Sequence, residues 1–282
     1  MENKSLIYEV KDNIGWITLN RPEKLNAMND SMLDELDKAF SKAEQDLDAK
    51  VVIVKGNGTS FSSGMDLSGT GSKMTTPAEP HKNQPFTKDL MDAQRRIDRR
   101  WEYIFNVCKP TIAQVQGYCL GTGAFLAMVC DFTIASEDAL FGDPSVRMGL
   151  LSGMPLWFWL LGMKKSREML FSGKYITGKE AEVLGLITQA VPAARLKEET
   201  RNLAEGLKLL HSDALALAKD GINAVMEARG LGAAWRLTTD MQLVMQAKRN
   251  REEDSKFFKT RDEKGLKKAL SERDAPFKGF FD

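Results

Sequence analysis

Two glycine-containing segments, each after a predicted strand, carry the clearest chemical signal in the sequence. They are Phe61–Leu67 and Gln116–Gly123. In the first, small residues let the main chain at Gly64 and Met65 approach a bound molecule closely. In the second, unpaired N–H groups at the start of a helix offer fixed donors and the positive end of the helix dipole. Brought together, the two donor sites would form an oxyanion hole, in which main-chain N–H groups stabilise a developing negative oxygen.

Each turn, taken alone, is equally compatible with a packing role in which glycine only relieves a close contact. Their order and spacing make the pair more specific than either member. The sequence contains no GxSxG elbow, no GxxxxGK[ST] phosphate loop and no GxGxxG dinucleotide loop. These absences disfavour serine hydrolases of the elbow type, nucleoside triphosphatases and dinucleotide-dependent enzymes.

The first glycine-containing segment follows a region that alternates strands and helices. The apolar runs Leu6–Val10 and Ile14–Leu19 predict a tight antiparallel hairpin. A helix with Asn29 or Asp30 at its N-terminal cap is predicted next, because apolar residues recur there at helical spacing. The run Val51–Val54 then predicts a buried strand that leads to the first segment.

The second segment follows a predicted strand, Thr111–Val115, and opens into the apolar run Ala124–Val129. A helix that is apolar on every side must be buried, so this one is expected at the centre of the protein. Three shorter strands are expected at Phe132–Ala135, Ala139–Phe141 and Leu186–Val191. Strands interleaved with helices predict an α/β fold, whereas after about Ala204 only helical spacing is found.

Composition excludes several classes of function. The 40 Lys and Arg residues balance 39 Asp and Glu residues, so no overall field favours nucleic acid. Cys108, Cys119 and Cys130 form no CxxC pair, and neither a signal peptide nor a membrane segment is recognised, which predicts thiols in a cytoplasmic protein. With only His81 and His211, no metal site and no metal cofactor are expected.

Five motifs in a fixed order resemble those of a known family. They involve the segments Asn20–Met28, Phe61–Leu67, Lys109–Ala113 with Gly117–Gly123 and Cys130–Asp131, Ala139–Gly142, and Ser172–Gly173 with Ala181–Leu186. The family that they resemble is the crotonase, or enoyl-CoA hydratase/isomerase, superfamily. The resemblance implies a crotonase-like spiral of β-β-α units in residues 1–203 and a helical trimerisation region in residues 204–282. It also implies a homotrimer or hexamer.

The resemblance further implies a bound acyl-CoA thioester whose enolate oxygen is held by two main-chain N–H groups. At the matching positions these donors are Met65 and Thr122, and Thr122 replaces the middle glycine of the family's usual run. The main chain around Lys24, Leu25 and Ser63, together with Met65, would contact coenzyme A. Coenzyme A enters here as part of the substrate, and no separate cofactor is expected.

The acid and base residues depart from the family pattern. Phe125 and Ser145 stand where hydratases of the family carry glutamates, and Gly153 stands where dienoyl-CoA isomerases carry an aspartate. Neither a phenyl ring nor an unassisted serine hydroxyl moves a proton efficiently at neutral pH. The nearest candidates are Asp143 and Arg147, which would share one face with Ser145 on an extended segment. The alternative is an Asp–Arg surface pair beside an Asp-Pro turn.

These features predict an acyl-CoA enzyme of the enoyl-CoA hydratase/isomerase type that stabilises a thioester enolate and uses atypical acid and base residues. The candidate catalytic residues besides the two donors are Asp143 as the base, Arg147, which would hold Asp143 ionised, and Ser145. Two alternatives stay open: a hydrolase that cleaves a C–C bond or the thioester of a bulky acyl-CoA, and a CoA-ester-binding oligomer without catalysis. The aromatic run Trp157–Trp159 suits a bulky acyl group or an ordinary core. The polar segment around His81 would form the lid that the family places there.

Overall fold

The computed structural model describes residues 4–68, 95–96, 99–247 and 256–281. In chain order, its strands are β1 (Leu6–Lys11), β2 (Ile14–Leu19), β3 (Val51–Gly56), β4 (Thr111–Val115), β5 (Tyr118–Leu120), β6 (Phe132–Ser136), β7 (Leu140–Gly142), β8 (Tyr175–Thr177) and β9 (Gln189–Val191). Six of them form one sheet in the order β1-β2-β3-β4-β6-β9, and β5-β7-β8 form a second sheet. In the larger sheet β1 and β2 pair antiparallel, and all the other neighbours pair in parallel.

Helices connect and cover the strands. In chain order they are α1 (Asp30–Gln45), α2 (99–105), α3 (Thr122–Val129), α4 (Leu156–Ser172), α5 (Gly178–Val183), α6 (Leu196–Lys208), α7 (Ser212–Ala228), α8 (Leu231–Ala247), α9 (Lys256–Lys264) and α10 (Leu266–Asp274). Helix α1 begins at Asn29, whose Oδ1 accepts a hydrogen bond from the Met32 N–H at 2.9 Å.

The six-stranded sheet is buried on both faces. Along β3, Val52 and Val54 pack in the core that contains Phe40 of α1. The alternating residues Val51 and Ile53 pack in a second core with helix α6 on the opposite face. A parallel sheet covered on both sides needs strands that are apolar throughout, and this explains the continuous apolar run of β3.

The structure confirms the predicted α/β class and its main elements. The hairpin, the helix capped by Asn29, and the buried strands β3 and β4 lie where the sequence predicts them. The central helix is also confirmed: every residue of α3 except Phe125 is buried. The predicted thiols are free, with Cys108 exposed and both Cys119 and Cys130 buried.

Other expectations were wrong in detail. The predicted strand Leu186–Val191 is limited to β9, because the N–H groups of Leu186 and Ile187 bond the Ala181 carbonyl and close a turn. Strands β5 and β8 were not predicted, since three residues carry little pattern.

The predicted boundary at residues 203/204 falls inside a helix that belongs to the α/β part. Helix α6 runs through it, and Ala204 is fully buried in the core below the sheet. Helices α7 and α8 follow α6. Helices α9 and α10 then pack against the 3₁₀ turn that follows β7 of the smaller sheet. There Phe258 and Ala269 pack against Met148 of the 3₁₀ turn Pro144–Met148. Within the described residues, no helix is long and apolar enough to cross a membrane.

Candidate active site

The two glycine-containing segments lie side by side. The Ser62 N–H donates to the Tyr118 carbonyl at 2.8 Å, and the Leu120 N–H donates to the Ser62 carbonyl at 3.0 Å. Gly64 has φ +99°, in the region that favours glycine. A Cβ atom at Gly64 would lie 2.8 Å from the Leu120 carbonyl oxygen and 3.6 Å from the Thr122 nitrogen. The glycine therefore permits a contact that brings the main chain before Met65 next to Thr122.

The N–H groups of Met65 and Thr122 are available to a ligand. The Met28 N–H donates to the Gly64 carbonyl at 2.8 Å, and the Asp66 N–H donates to the Met28 carbonyl at 2.9 Å, so the intervening Met65 N–H points away from Met28. Thr122 is the first residue of α3, where N–H groups have no partner within the helix. Neither N–H donates to an acceptor in the part of the chain that the structure describes.

Both residues line a cavity of about 570 Å³. Four of the residues that the resemblance assigns to coenzyme A also line it, namely Lys24, Leu25, Ser63 and Met65. Most of its remaining wall is apolar, with side chains from Leu120, Phe125, Met148, Leu150, Leu151, Met245, Leu266 and Leu270. A cavity of this size with a few polar groups suits a small-molecule ligand.

Main-chain hydrogen bonds link neighbouring segments in a row along the cavity floor. On one flank, the Leu25 carbonyl accepts from the Ser63 N–H at 2.9 Å. On the other flank, the Gly121 N–H donates to the Gly142 carbonyl at 2.9 Å. Strand β7 then pairs with β8, so that Gly142 lies opposite Tyr175. The two N–H donors thus lie between Leu25 on one side and Tyr175 on the other.

Phe125 and Ser145 both face the cavity, at the positions where the family pattern has glutamates. The Phe125 ring packs edge-on against Trp101, with ring centroids 6.2 Å apart. Ser145 is half-buried in the 3₁₀ turn that follows β7. The cavity therefore has an apolar ring and one hydroxyl at these two places.

Asp143 lies directly behind Ser145. Its carboxylate is buried and accepts hydrogen bonds at Oδ1 from the Ser145 N–H, at 3.0 Å, and from the Ser145 hydroxyl. Its Oδ2 is buried without a partner among the described residues. A Cβ atom at Gly121 would lie 4.0 Å from Asp143 Oδ1, which places the carboxylate beside the turn that carries the second donor. Asp143 itself does not line the cavity, and Ser145 separates the two.

The expectation that residues 143, 145 and 147 share one extended face is wrong. Pro144 starts a 3₁₀ turn, in which the side-chain period is three residues instead of two. Arg147 consequently points away and donates to the Ser172 carbonyl at 2.8 Å and to Asp274 at 3.3 Å. The surface Asp–Arg pair is equally wrong, because Asp143 is buried and Arg147 pairs elsewhere; the Asp-Pro turn is present.

The structure also shows what surrounds Gly153 and the aromatic run Trp157–Trp159. The space above Gly153 is occupied by the side-chain amide of Gln242 from α8, so an acidic side chain at residue 153 would require this amide to move. The aromatic run Trp157–Trp159 does not line the cavity: Trp157 is buried in the core and Phe158 is half exposed. The segment around His81 lies outside the described residues.

The acidic side chain closest to the first donor in sequence, Asp66, is occupied by other contacts. Burial raises its pKa, but hydrogen bonds from Ser68 and from Arg21, the latter at 3.0 Å, lower it further, so the pKa lies below its ordinary value. An ionised carboxylate held by an arginine is a weak base. Through its contacts with Arg21 and Ser68, Asp66 orders the loop that follows Met65.

Four polar residues of the cavity wall were missed by sequence reasoning, namely Tyr175, Gln242, Arg273 and Asp274. They belong to β8, α8 and α10, and nothing local in the sequence relates them to the glycine-containing turns. Burial raises the pKa of Tyr175, which keeps its hydroxyl protonated at neutral pH. Within residues 4–68, 95–96, 99–247 and 256–281, no group of three His, Cys, Asp or Glu side chains is arranged to bind a metal.

The chain is similar to known proteins over most of its length. Residues 9–278 match the model of the family described as enoyl-CoA hydratase/isomerase. A probable enoyl-CoA hydratase of Rhizobium meliloti is 31% identical over 99% of both chains. A probable mitochondrial enoyl-CoA hydratase of Dictyostelium discoideum is 33% identical over 78% of this chain and 75% of that protein. The crystal structure of an enoyl-CoA hydratase/isomerase from Xanthobacter autotrophicus Py2 superposes with a TM-score of 0.85, at 31% identity, over 97% of this chain and 98% of that chain.

Proposed function

The chain belongs to the enoyl-CoA hydratase/isomerase family, the crotonase superfamily, and from this premise we propose that it forms and stabilises the enolate of an acyl-CoA thioester. The thioester oxygen would lie between the N–H groups of Met65 and Thr122. The observation that carries this proposal is the pair of free main-chain donors side by side at a cavity. Such donors stabilise charge that develops on oxygen without needing to reorganise during the reaction.

The arrangement of segments gives the substrate a direction. Coenzyme A would extend from the donors on the side of Lys24, Leu25 and Ser63, where Lys24 and Leu25 are exposed. The acyl group would then extend toward Ser145, on the other side of Thr122. This direction places Cα of the acyl group near the hydroxyl that stands in for the family's second glutamate.

Proton transfer would use Ser145 together with Asp143. As the Cα proton moves to Ser145 Oγ, the proton already on that oxygen moves to the Asp143 carboxylate, and the electron pair left behind forms the enolate. The buried carboxylate supplies the basicity that a serine hydroxyl lacks. Arg147 has no part in this step, because Ser172 and Asp274 hold it.

Hydrogen exchange tests the proposed function without knowledge of the true substrate. Butyryl-CoA incubated with the protein in D₂O is expected to exchange its Cα protons for deuterium, and ¹H NMR follows the loss of their signal. Binding of butyryl-CoA without exchange would contradict enolate formation and would favour the CoA-ester-binding oligomer without catalysis. Release of free CoA in the same sample would favour the thioester hydrolase.

We also propose that the protein assembles as a homotrimer or hexamer through α7 and α8. Helix α7 buries none of its residues within one chain, although it carries Leu217, Ile222 and Val225 on its exposed side. Helix α8 adds Leu237 and Met241, each more than half exposed. Adjacent exposed apolar side chains of this kind mark protein interfaces. A cytoplasmic location stays a prediction from the sequence.

Sedimentation velocity at micromolar concentration is expected to give a trimer or hexamer for the unmodified protein. The double variant Ile222→Asp with Val225→Asp is expected to dissociate, because it would bury two unpaired carboxylates in the interface. The matched control is Glu198→Gln with Lys197→Gln, which changes exposed residues of α6. A stable monomer for the unmodified protein would contradict the proposed assembly.

A further inference from the structure

A polar cluster lies in the cavity wall on the acyl side of the two N–H donors. It consists of Tyr175, Arg273, Asp274 and, just behind the wall, Arg147. Arg273 donates to the Tyr175 hydroxyl oxygen at 3.2 Å and to Asp274 at 2.7 and 2.8 Å. Arg147 donates to the same Asp274 at 3.3 Å. One carboxylate therefore serves two guanidinium groups.

This cluster carries a net positive charge. The side chains of Arg147 and Arg273 are only 8% and 7% exposed, whereas that of Asp274 is 34% exposed. Buried charges are normally paired, because removal from water is costly without a partner. With Tyr175 protonated, the cluster carries one positive charge more than negative charges. It is therefore suited to receive an anion.

Two donors in the cluster have no strong acceptor. The Tyr175 hydroxyl accepts from Arg273, but its own proton reaches no acceptor in the described part of the chain. Arg273 Nη1 contacts only the Met148 sulfur, at 3.9 Å, and a thioether is a weak acceptor. Both side chains line the cavity, and their neighbours Met148, Leu266 and Leu270 are apolar. An anionic oxygen in the cavity would find its hydrogen bonds here.

The backbone fixes the position of this cluster relative to the proposed thioester site. Gly142 lies opposite Leu120 on one side and opposite Tyr175 on the other. The Tyr175 ring fills the space above Gly142: a Cβ atom at this glycine would lie 2.7 Å from Tyr175 Cδ1. The ring thus reaches back toward the turn that carries Thr122. Leu25, on the coenzyme A side, lies at the opposite end of this row.

We propose that Tyr175 and Arg273 bind a carboxylate at the distal end of the acyl group, so that the substrate class is the mono-CoA thioester of a dicarboxylic acid. This inference rests on the proposed function, because it uses the direction in which the thioester lies. The carboxylate accepts one hydrogen bond from the Tyr175 hydroxyl and one from Arg273 Nη1. Its charge balances the cluster.

Calorimetric titration with two acyl-CoAs of equal chain length tests this proposal. Glutaryl-CoA, which ends in a carboxylate, is expected to bind about 10-fold to 100-fold more tightly than pentanoyl-CoA, as for a charged hydrogen bond. Arg273→Met is expected to abolish this preference, and Tyr175→Phe, which keeps the ring, to reduce it. Lys267→Met removes the same charge from the exposed side of α10 and is expected to leave the preference unchanged.

The outcomes separate this inference from the proposed function. Equal affinity for the two ligands would overturn the inference alone, since pentanoyl-CoA binding would still support an acyl-CoA site. Weaker binding of free CoA by Arg273→Met would assign the cluster to the CoA phosphates and would also overturn it. Tyr175→Phe provides the decisive variant if Arg273→Met fails to fold, and an unchanged preference in it would count against the proposal. Failure of the wild type to bind either acyl-CoA would overturn both proposals.

Discussion

Replacing Met65 by proline is expected to lower turnover by about 10²–10³-fold, or about 3 kcal/mol of transition-state stabilisation. Proline has no N–H, so this variant removes one of the two donors proposed to hold the enolate oxygen. The loss should affect the catalytic rate more than the affinity for substrate, because the negative charge on oxygen develops only as the enolate forms. The rate of Cα exchange in butyryl-CoA gives the measurement.

Met65→Leu is the matched control, since it changes the side chain and keeps the main-chain donor. It is expected to retain the wild-type exchange rate within a few fold. Circular dichroism verifies that Met65→Pro is folded. A folded Met65→Pro variant with unchanged exchange would exclude the Met65 N–H as a donor to the enolate.

Replacing Asp143 by asparagine is expected to lower the exchange rate by about 10²–10⁴-fold, the range typical of a positioned acid or base. Asparagine can still accept the hydrogen bond from the Ser145 N–H, now 3.0 Å from Asp143 Oδ1, so the 3₁₀ turn keeps its cap. It cannot take up the proton that Ser145 passes on.

Ser145→Ala tests whether the Ser145 hydroxyl passes the proton to Asp143. It should lower the exchange rate by a similar factor.

Crotonyl-CoA hydration, followed by absorbance, is expected to be weak in the wild type, because Phe125 and Ser145 replace both glutamates of the family pattern. Fast hydration by the wild type would contradict this reasoning. Full exchange activity in Asp143→Asn would exclude Asp143 as the base and would direct attention to the segment around His81.

The elements that hold the two glycine-containing segments are predictable from the sequence because their signals are local. A predicted strand precedes each segment, and the glycines mark the places where main-chain segments come close. The choice of Met65 and Thr122 as the two donors comes from the family resemblance. Their proposed donor role depends on the main chain alone, so the unusual side chain at Thr122 does not obscure it.

The acid and base arrangement was harder to predict, because it depends on one local conformation and on distant partners. The 3₁₀ turn at Pro144 changes the side-chain period, which turns Arg147 away from Asp143. Arg147 meets Asp274, which is 127 residues later in the chain. Contacts between residues so far apart in the chain leave no local sequence pattern. For the same reason, the contact between Tyr175 and Arg273 could not be predicted.

The placement of both proposed donors on the main chain has a consequence for how such proteins diversify. Mutation replaces side chains, but every residue except proline keeps its N–H group. Substitutions at residues 65 and 122 can therefore accumulate while the capacity to stabilise an enolate is inherited intact. Natural selection is then free to exchange the side chains that move protons and those that select the acyl group. A lineage can in this way acquire a new reaction while it keeps the capacity to stabilise the enolate intermediate.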